Sequence, residues 1–343
     1  MATLELRGLK KKYGSIFAVD GIDIAIKEGE FLAILGPSGC GKSTTMRMIA
    51  GLEQPTAGEV LIGGKAVTHL PPRERNVSMV FQSYALYPHM TVRENIAFPL
   101  KARGVPRAQR DTKITWAAGM LGIEPLLQRK PGRLSGGEKQ KVALARSLVR
   151  DPDLFIFDEP LSSLDAQVRT LARSELRLLH DRTGVTTVYV THDQLEALGM
   201  GDRIAIMQHG RVRQLGTPKQ LYDNPADTFV AGFLGSPPMN LLRRDDRIIG
   251  FRPEQLVPAA AGTVVDGAFV LQVRIQRLEF LGADWLVYGV LEAGAAEQKI
   301  LSKVSPSIAR TLQEGELREF RVQPASLRFF DPANGLRIDD GQR

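Results

Sequence analysis

The chain has 343 residues, enough for roughly two domains, and its 43% hydrophobic and 24% charged residues exclude an extended disordered protein. Its one cysteine, Cys40, excludes an internal disulfide and fits a reducing compartment. No run approaches about 18 apolar residues and no signal peptide opens the chain, so no membrane span is expected, while a net charge of +7 suits an acidic surface or nucleic acid but reads equally as solvated surface.

The first informative element is a buried strand over residues 30–35, followed by a glycine-rich turn and a helix over 45–52. The turn, Gly36, Pro37, Ser38, Gly39, Cys40, Gly41, Lys42, Ser43 and Thr44, satisfies G-x-x-x-x-G-K-[ST] between a strand and a helix. Its amides and the helix dipole suit phosphates, with Lys42 expected on the β- and γ-phosphates and the Ser43 hydroxyl on magnesium. Cys40 reads as a small residue in a small space. Nearby helix amides are expected to lower the pKa of its thiol and favour alkylation, against which ATP would protect.

Residues 84–90, Tyr-Ala-Leu-Tyr-Pro-His-Met, are apolar and aromatic but broken by Pro88. Thr91 and Glu94 then form a capping box that opens a short helix through Val92 and Ile96, and residues 105–134 read as helical. Ser135 and Glu138 form a second capping box around Gly136 and Gly137, which remove side chains where helix amides meet an anion. Residues 153–160 read as a core strand that delivers Asp158 and Glu159 to a sheet edge. Asp158 suits the magnesium shell and Glu159 suits proton acceptance from water. A further strand over 186–191 ends at His192, a candidate for contact with a γ-phosphate.

The chain changes character at the Gly/Pro-rich residues 235–240. Beyond them, alternating runs at 269–275, 285–291 and 320–322 predict a small β-barrel. Arg274, Arg277, Phe280, Arg328, Phe329 and Phe330 leave nucleic-acid binding open as an alternative.

Taken in order, these motifs resemble the ATP-binding cassette (ABC) ATPases. In that resemblance residues 134–138 are the signature turn, and Tyr13 is the aromatic residue that stacks on adenine. Gln82 is the glutamine that senses magnesium and water, residues 163–165 with Asp165 form the loop that crosses to a partner subunit, and His192 is the switch histidine. Many relatives carry glutamine where this chain has Glu138. The implied fold is an α/β P-loop NTPase over residues 1–237, with an inserted helical subdomain at about 88–152. An all-β, OB-like regulatory domain over 238–343 completes it. Residues 236–242, 250–254 and 278–282 resemble the C-terminal domains of carbohydrate importers such as the maltose and glycerol-phosphate systems, although only the short 243–249 connection stands where relatives have a longer insertion.

The resemblance also implies a mechanism and partners. Two copies would sandwich two ATP molecules, each phosphate loop facing the other copy's Ser135, Gly136 and Gly137. Catalysis would use Lys42, Gln82, Glu159 and His192, with magnesium held by Ser43, Gln82 and Asp158. Two transmembrane permease subunits would dock near residues 84–94, with an extracytoplasmic solute-binding protein reached through the complex. The implied location is the cytoplasmic face of the cell membrane. A sugar or sugar derivative is the first expectation for the cargo, with a polyamine or inorganic anion as the alternative. A soluble ABC ATPase acting on nucleic acid is the rival class. It is not expected here, because the chain has neither a second cassette nor a long coiled-coil insertion.

Overall fold

The N-terminal strands β1 (Leu4–Tyr13) and β2 (Ile16–Ile26) form an antiparallel hairpin whose inward residues, Leu4, Leu6, Leu9, Ile22, Ile24 and Ile26, are all buried. The computed structural model describes residues 2–338 apart from 245, 260–266 and 293–297. Next comes β3 (Phe31–Leu35), apolar throughout because both of its faces are covered. It feeds the glycine-rich turn and then α1 (Lys42–Ala50). With β4 (Ala57–Ile62) and β5 (Lys65–Ala66), the hairpin completes an antiparallel sheet in the order β2-β1-β4-β5. The last carbonyls of α1 are satisfied by buried Arg75, whose Nη1 donates to Met48 O at 2.7 Å and Ile49 O at 3.0 Å.

After β6 (Val77–Val80) the chain leaves the sheet for α2 (Val92–Ala102), α3 (Arg107–Leu121) and α4 (Gly136–Leu148). Both expected capping boxes form, with Thr91 and Ser135 as the capping residues. The helical expectation for 105–134 is corrected: α3 stops at left-handed Gly122, and only single 3-10 turns follow at Glu124–Leu126 and Pro131–Arg133. Pro125 and Pro131 have no N–H with which to continue an α-helix.

The chain returns through β7 (Leu154–Asp158), α5 (Ala166–Thr183), β8 (Thr186–Thr191), α6 (Gln194–Met200), β9 (Arg203–Gln208) and β10 (Arg211–Gly216). The central sheet runs β10-β9-β3-β8-β7-β6, parallel except at the β10 edge. Side chains alternate across it. Leu32, Ile34, Ile156, Val188 and Val190 face a core shared with α1 and the antiparallel sheet. Phe31, Phe155, Phe157 and Tyr189 face a second core shared with α2 to α5.

The chain divides into two compact units, Met1–Pro218 and Lys219–Arg343. The division precedes the Gly/Pro-rich stretch expected to mark it at 237/238. Residues 219–237, including most of α7 (Pro218–Asp223) and all of α8 (Thr228–Phe233), hydrogen-bond into the second unit through Arg252.

Within that unit lie β11 (Asn240–Arg243), β12 (Ile248–Phe251), β13 (Val257–Pro258), β14 (Phe269–Phe280), β15 (Trp285–Leu291), β16 (Lys299–Val304), the short α9 (Pro306–Ala309), β17 (Leu317–Val322), β18 (Arg328–Phe330) and β19 (Arg337–Ile338). They form two antiparallel sheets, β11-β12-β18-β19 and β13-β17-β14-β15-β16, so the unit is β-rich as the sequence predicts. The short connection after Arg243 has a simple consequence. It closes β11 onto β12 as a hairpin, with Arg244 N donating to Arg247 O at 2.8 Å.

Candidate functional site

The phosphate loop is shaped by what a side chain would strike. Gly41 sits at φ 106°, and a Cβ there would lie 2.4 Å from Ala18 O of β2. Gly41 is also the residue before α1, and it supplies no side-chain cap, so the first amides of the helix stay available for an anion. Lys42 is buried, its Nζ donating to Gly36 O at 2.8 Å and Pro37 O at 3.0 Å. The loop therefore holds the ammonium itself.

Parallel pairing gathers four more sequence-predicted residues at the same edge. Leu35, just before the loop, pairs with Thr191, just before His192. Asp158 pairs with Val190, and Val80, two residues before Gln82, pairs with Phe157. Ligands bind at the carboxyl ends of the strands in sheets of this kind.

Glu159 is held at φ 45°, where side chains are rarely found. Its N–H donates to Val190 O at 2.9 Å, and Ser162 donates N–H and Oγ–H to its carbonyl at 3.2 and 2.9 Å. Its Oε2 lies 2.9 Å from His192 Nδ1. Burial pushes the Asp158 carboxyl above its ordinary value, Glu159 beside it adds to the shift, and Arg47 and Lys42 oppose it.

A buried carboxylate that sequence reasoning missed orients this corner. Glu196 Oε2 accepts from Tyr189 Oη at 2.8 Å and from Thr191 Oγ1 at 2.7 Å. Thr191 Oγ1 in turn accepts from Asp193 N at 2.9 Å, which fixes the turn on which His192 stands. In the sequence Glu196 is one acid on an ordinary amphipathic helix, and only its burial distinguishes it.

The signature turn groups elsewhere. Ser135 Oγ accepts from Glu138 N at 3.3 Å, and Glu138 Oε2 accepts from Ser135 N at 2.7 Å. The box uses the amides of Ser135 and Glu138, leaving those of Gly136 and Gly137 with no acceptor inside the helix. A Cβ on Gly136 would meet Leu164 Cδ2 at 3.0 Å. Ser135 and Gly137 also line a cavity of about 390 Å³ with Val168 and Leu171. Asp165 adjoins this group as the cap of α5, its Oδ1 accepting from Val168 N at 3.0 Å. Because a glutamine oxygen accepts the Ser135 N–H as well as a carboxylate does, Glu138→Gln is expected to keep ATPase activity within about threefold, and a steady-state assay showing loss by orders of magnitude would remove the capping account.

Tyr13, at the tip of the β1–β2 hairpin, is half-exposed, with Lys11 Nζ 5.0 Å from the ring centroid. Burial and a hydrogen bond to Glu53 push its phenol upward. Gln82 and Ser43 are exposed. Cys40 requires a correction. It is only 4% exposed, and burial raises its thiol pKa against the pull of Lys42 and the loop amides, so the expected low pKa and ready alkylation do not hold.

The 84–94 surface is narrower than expected, since Tyr84 and Val92 are buried in the core. Leu86, Tyr87 and Met90 are part-exposed; Ala85, Pro88 and His89 are exposed. Buried Asn95 shapes the segment, accepting from Tyr87 N at 2.8 Å and donating to Tyr87 O, Met90 O and Thr91 O. Among the described residues no helix is long and apolar enough to cross a membrane.

The donor set fits the expected ligands. Ser43 and Asp158 are hard oxygen donors, and among the described residues no cluster of three His, Cys, Asp or Glu groups is placed to hold a metal alone. The Ser43 and Asp158 oxygens suit magnesium, which takes few protein ligands and shares its shell with phosphate and water.

The model of the "ABC transporter" family matches residues 19–162. The sulfoquinovosyl glycerol transport ATP-binding protein SmoE of Agrobacterium fabrum is 45% identical over 361 residues, covering 96% of this chain and 98% of that protein. The sn-glycerol-3-phosphate import ATP-binding protein UgpC of Rhodopseudomonas palustris is 46% identical over 363 residues, covering 99% of this chain and all of that protein (100%). Among solved structures, the dimeric post-hydrolysis state of the ATP-binding cassette MJ0796, bound to ADP and Pi, has a TM-score of 0.55 at 34% identity, covering 63% of this chain and 98% of that one. The cbiO1 protein of Clostridium perfringens, part of the transporter complex cbiONQ, has a TM-score of 0.60 at 30% identity over 64% of this chain and 89% of that one. With a phosphate loop, paired carboxylates and a histidine converging on one sheet edge, the chain belongs to the ABC transporter family, as one of its ATP-binding, ATP-hydrolysing subunits.

Proposed function

We propose that this chain is the ATPase subunit of a bacterial importer whose cargo is a sugar, a sugar derivative or a glycerol phosphate. The observation that carries this reading is the full-length likeness to relatives named for transport of sulfoquinovosyl glycerol and sn-glycerol-3-phosphate, across the catalytic unit and the β-rich unit alike. In this reading Tyr13 stacks on adenine, while Lys42, the α1 amides and the 36–44 loop hold the phosphates. Ser43, Gln82 and Asp158 hold magnesium, which supplies charge neutralisation at the phosphate oxygens when bound. Glu159 accepts the proton of attacking water, and His192 orients Glu159 and contacts the γ-phosphate.

Two copies pair so that the open Gly136 and Gly137 amides and the Ser135 hydroxyl of one face the phosphates held by the other, with Asp165 in the crossing loop. The Gly136 and Gly137 amides, which the capping box leaves open, support this pairing. Permease subunits dock on the part-exposed 85–90 surface at the cytoplasmic face of the membrane, and an extracytoplasmic binding protein delivers the cargo. Arg274, Arg277 and Phe330, three of the six residues a nucleic-acid reading needs, are otherwise engaged, while Phe280 stays exposed. Arg274 pairs with Glu292 and Arg277 with Glu279, while Phe330 is fully buried.

Deleting the gene is expected to lower uptake of labelled glycerol-3-phosphate or a sulfosugar glycoside by about tenfold or more, with putrescine and sulfate uptake unchanged. Loss of putrescine or sulfate uptake instead transfers the cargo to the polyamine or anion class. In the complemented strain, Tyr87→Ala or Met90→Ala should depress transport with basal hydrolysis of the purified chain retained. Unimpaired transport in both sinks the docking surface.

A further inference from the structure

The segment after Gln82 holds two consecutive residues, Tyr84 and Ala85, in the left-handed region, at φ 59° and 45°. Neither is glycine, so the surroundings must keep them there. Arg146 of α4 donates Nη2 to Tyr84 O and Nη1 to Ala85 O, each at 2.7 Å, and its guanidinium lies 5.7 Å from the Tyr87 ring centroid. From the other side, the buried Tyr84 ring places its Oη 2.9 Å from Ser163 Oγ.

These contacts lead to the same place. Arg146 lies on the helix that opens at Ser135, and Ser163 precedes Leu164, which packs where Gly136 has no Cβ, and Asp165, which caps α5. One strained pair of residues thus holds both parts of the Ser135–Asp165 group. It lies directly between Gln82 at the sheet edge and the part-exposed surface at Tyr87 and Met90.

We propose that Tyr84 is a positioning residue that sets the pose of the Ser135–Gly137 turn and the 163–165 loop for a second copy of the chain. It acts through its phenol on Ser163 and through the carbonyls that Arg146 grips. The inference rests on the ATP-sandwich pairing proposed above, and it makes the 84–85 backbone, rather than the phosphate loop, the point from which pairing competence is set.

The test uses the full-length chain with Glu159→Gln, with MgATP as ligand and analytical ultracentrifugation as the readout of pairing. Tyr84→Phe keeps the ring in the core and removes only the hydroxyl, and Ser163→Ala removes its partner. Each, added to Glu159→Gln, is expected to raise the dimer dissociation constant about fivefold to tenfold, and the two together no further than either alone. Monomer affinity for a fluorescent ATP analogue should stay at the parent's value and the melting temperature within about 2–4 °C of it, the range one lost hydrogen bond allows, which separates positioning from a folding defect. An unchanged dimer constant, or effects of the two substitutions that simply add, overturns the proposal. If the Glu159→Gln chain fails to pair with MgATP at all, the sandwich reading itself fails and takes this inference with it.

Discussion

Glu159→Gln is expected to lower ATP turnover by about 10²–10⁴-fold, the usual contribution of a general base, while ATP binding persists. The argument is geometric. Glu159 stands on a backbone held at φ 45° by Val190 and Ser162, and its carboxylate meets His192 at 2.9 Å. A glutamine keeps the volume and can still hydrogen-bond His192, so the turn should survive. What it loses is the capacity to take a proton from water. The substituted chain should therefore bind MgATP and accumulate as a closed pair, measurable as an ATP-dependent shift in sedimentation. Turnover within a few-fold of the parent would remove Glu159 as the base and leave Asp158 or His192 to be tested in its place.

The largest stability effect is expected at Arg252. This side chain is among the largest fully buried in the protein. Its guanidinium donates to Tyr222 O at 2.7 Å, Ala231 O at 3.1 Å and Leu234 O at 2.5 Å, and stacks 3.9 Å from the Tyr222 ring centroid. Burial pulls the pKa of Arg252 below the ordinary arginine value. Burial and the hydrogen bond to Glu254 push Tyr222 up to about 12, so its phenol stays neutral through the physiological range. Arg252→Ala leaves three carbonyls without their donor and opens a cavity, which should destabilise the Lys219–Arg343 unit by about 3–5 kcal/mol. That is a large part of the stability of a typical domain. Denaturant unfolding followed at Trp285, the tryptophan of that unit, would show the loss. ATP affinity should be unchanged, because these ties all lie within the second unit. A loss below about 1 kcal/mol would mean that the backbone bonds between residues 226–228 and 335–337 hold these helices without Arg252.

These two residues differ in how much of them the sequence reveals. Glu159 is legible because its role depends on neighbours in the chain: an apolar run, two acids and then a turn. The same holds for the phosphate loop, and for Ser135 and Glu138, whose capping box needs only a spacing of three. Arg252 was legible only as part of a resembling segment, because nothing local distinguishes an arginine that caps distant carbonyls from one in solvent. Glu196, Asn95 and Arg146 share that property. Each is polar, each lies on a helix of ordinary pattern, and each gains its role from a partner reached by packing. The helical reading of 105–134 erred for a related reason, since apolar spacing outvoted two prolines whose missing amides ended the helix.

The sequence by itself determined that this chain binds and hydrolyses a nucleotide, because phosphate cradles, caps and strand-end acids are short-range devices written in consecutive residues. Only the tertiary structure decided how these devices are grouped. Parallel pairing of β3, β6, β7 and β8 brings the phosphate loop, Gln82, Asp158, Glu159 and His192 to one edge. Packing of Gly136 against Leu164 draws the signature turn to Asp165 instead. It also decided that the chain divides at Pro218 and not at the Gly/Pro-rich stretch, because the buried Arg252 guanidinium and backbone bonds between residues 226–228 and 335–337 tie residues 219–237 to the β-rich unit. Register, close packing and burial are relations between distant residues, and they exist only once the chain has folded.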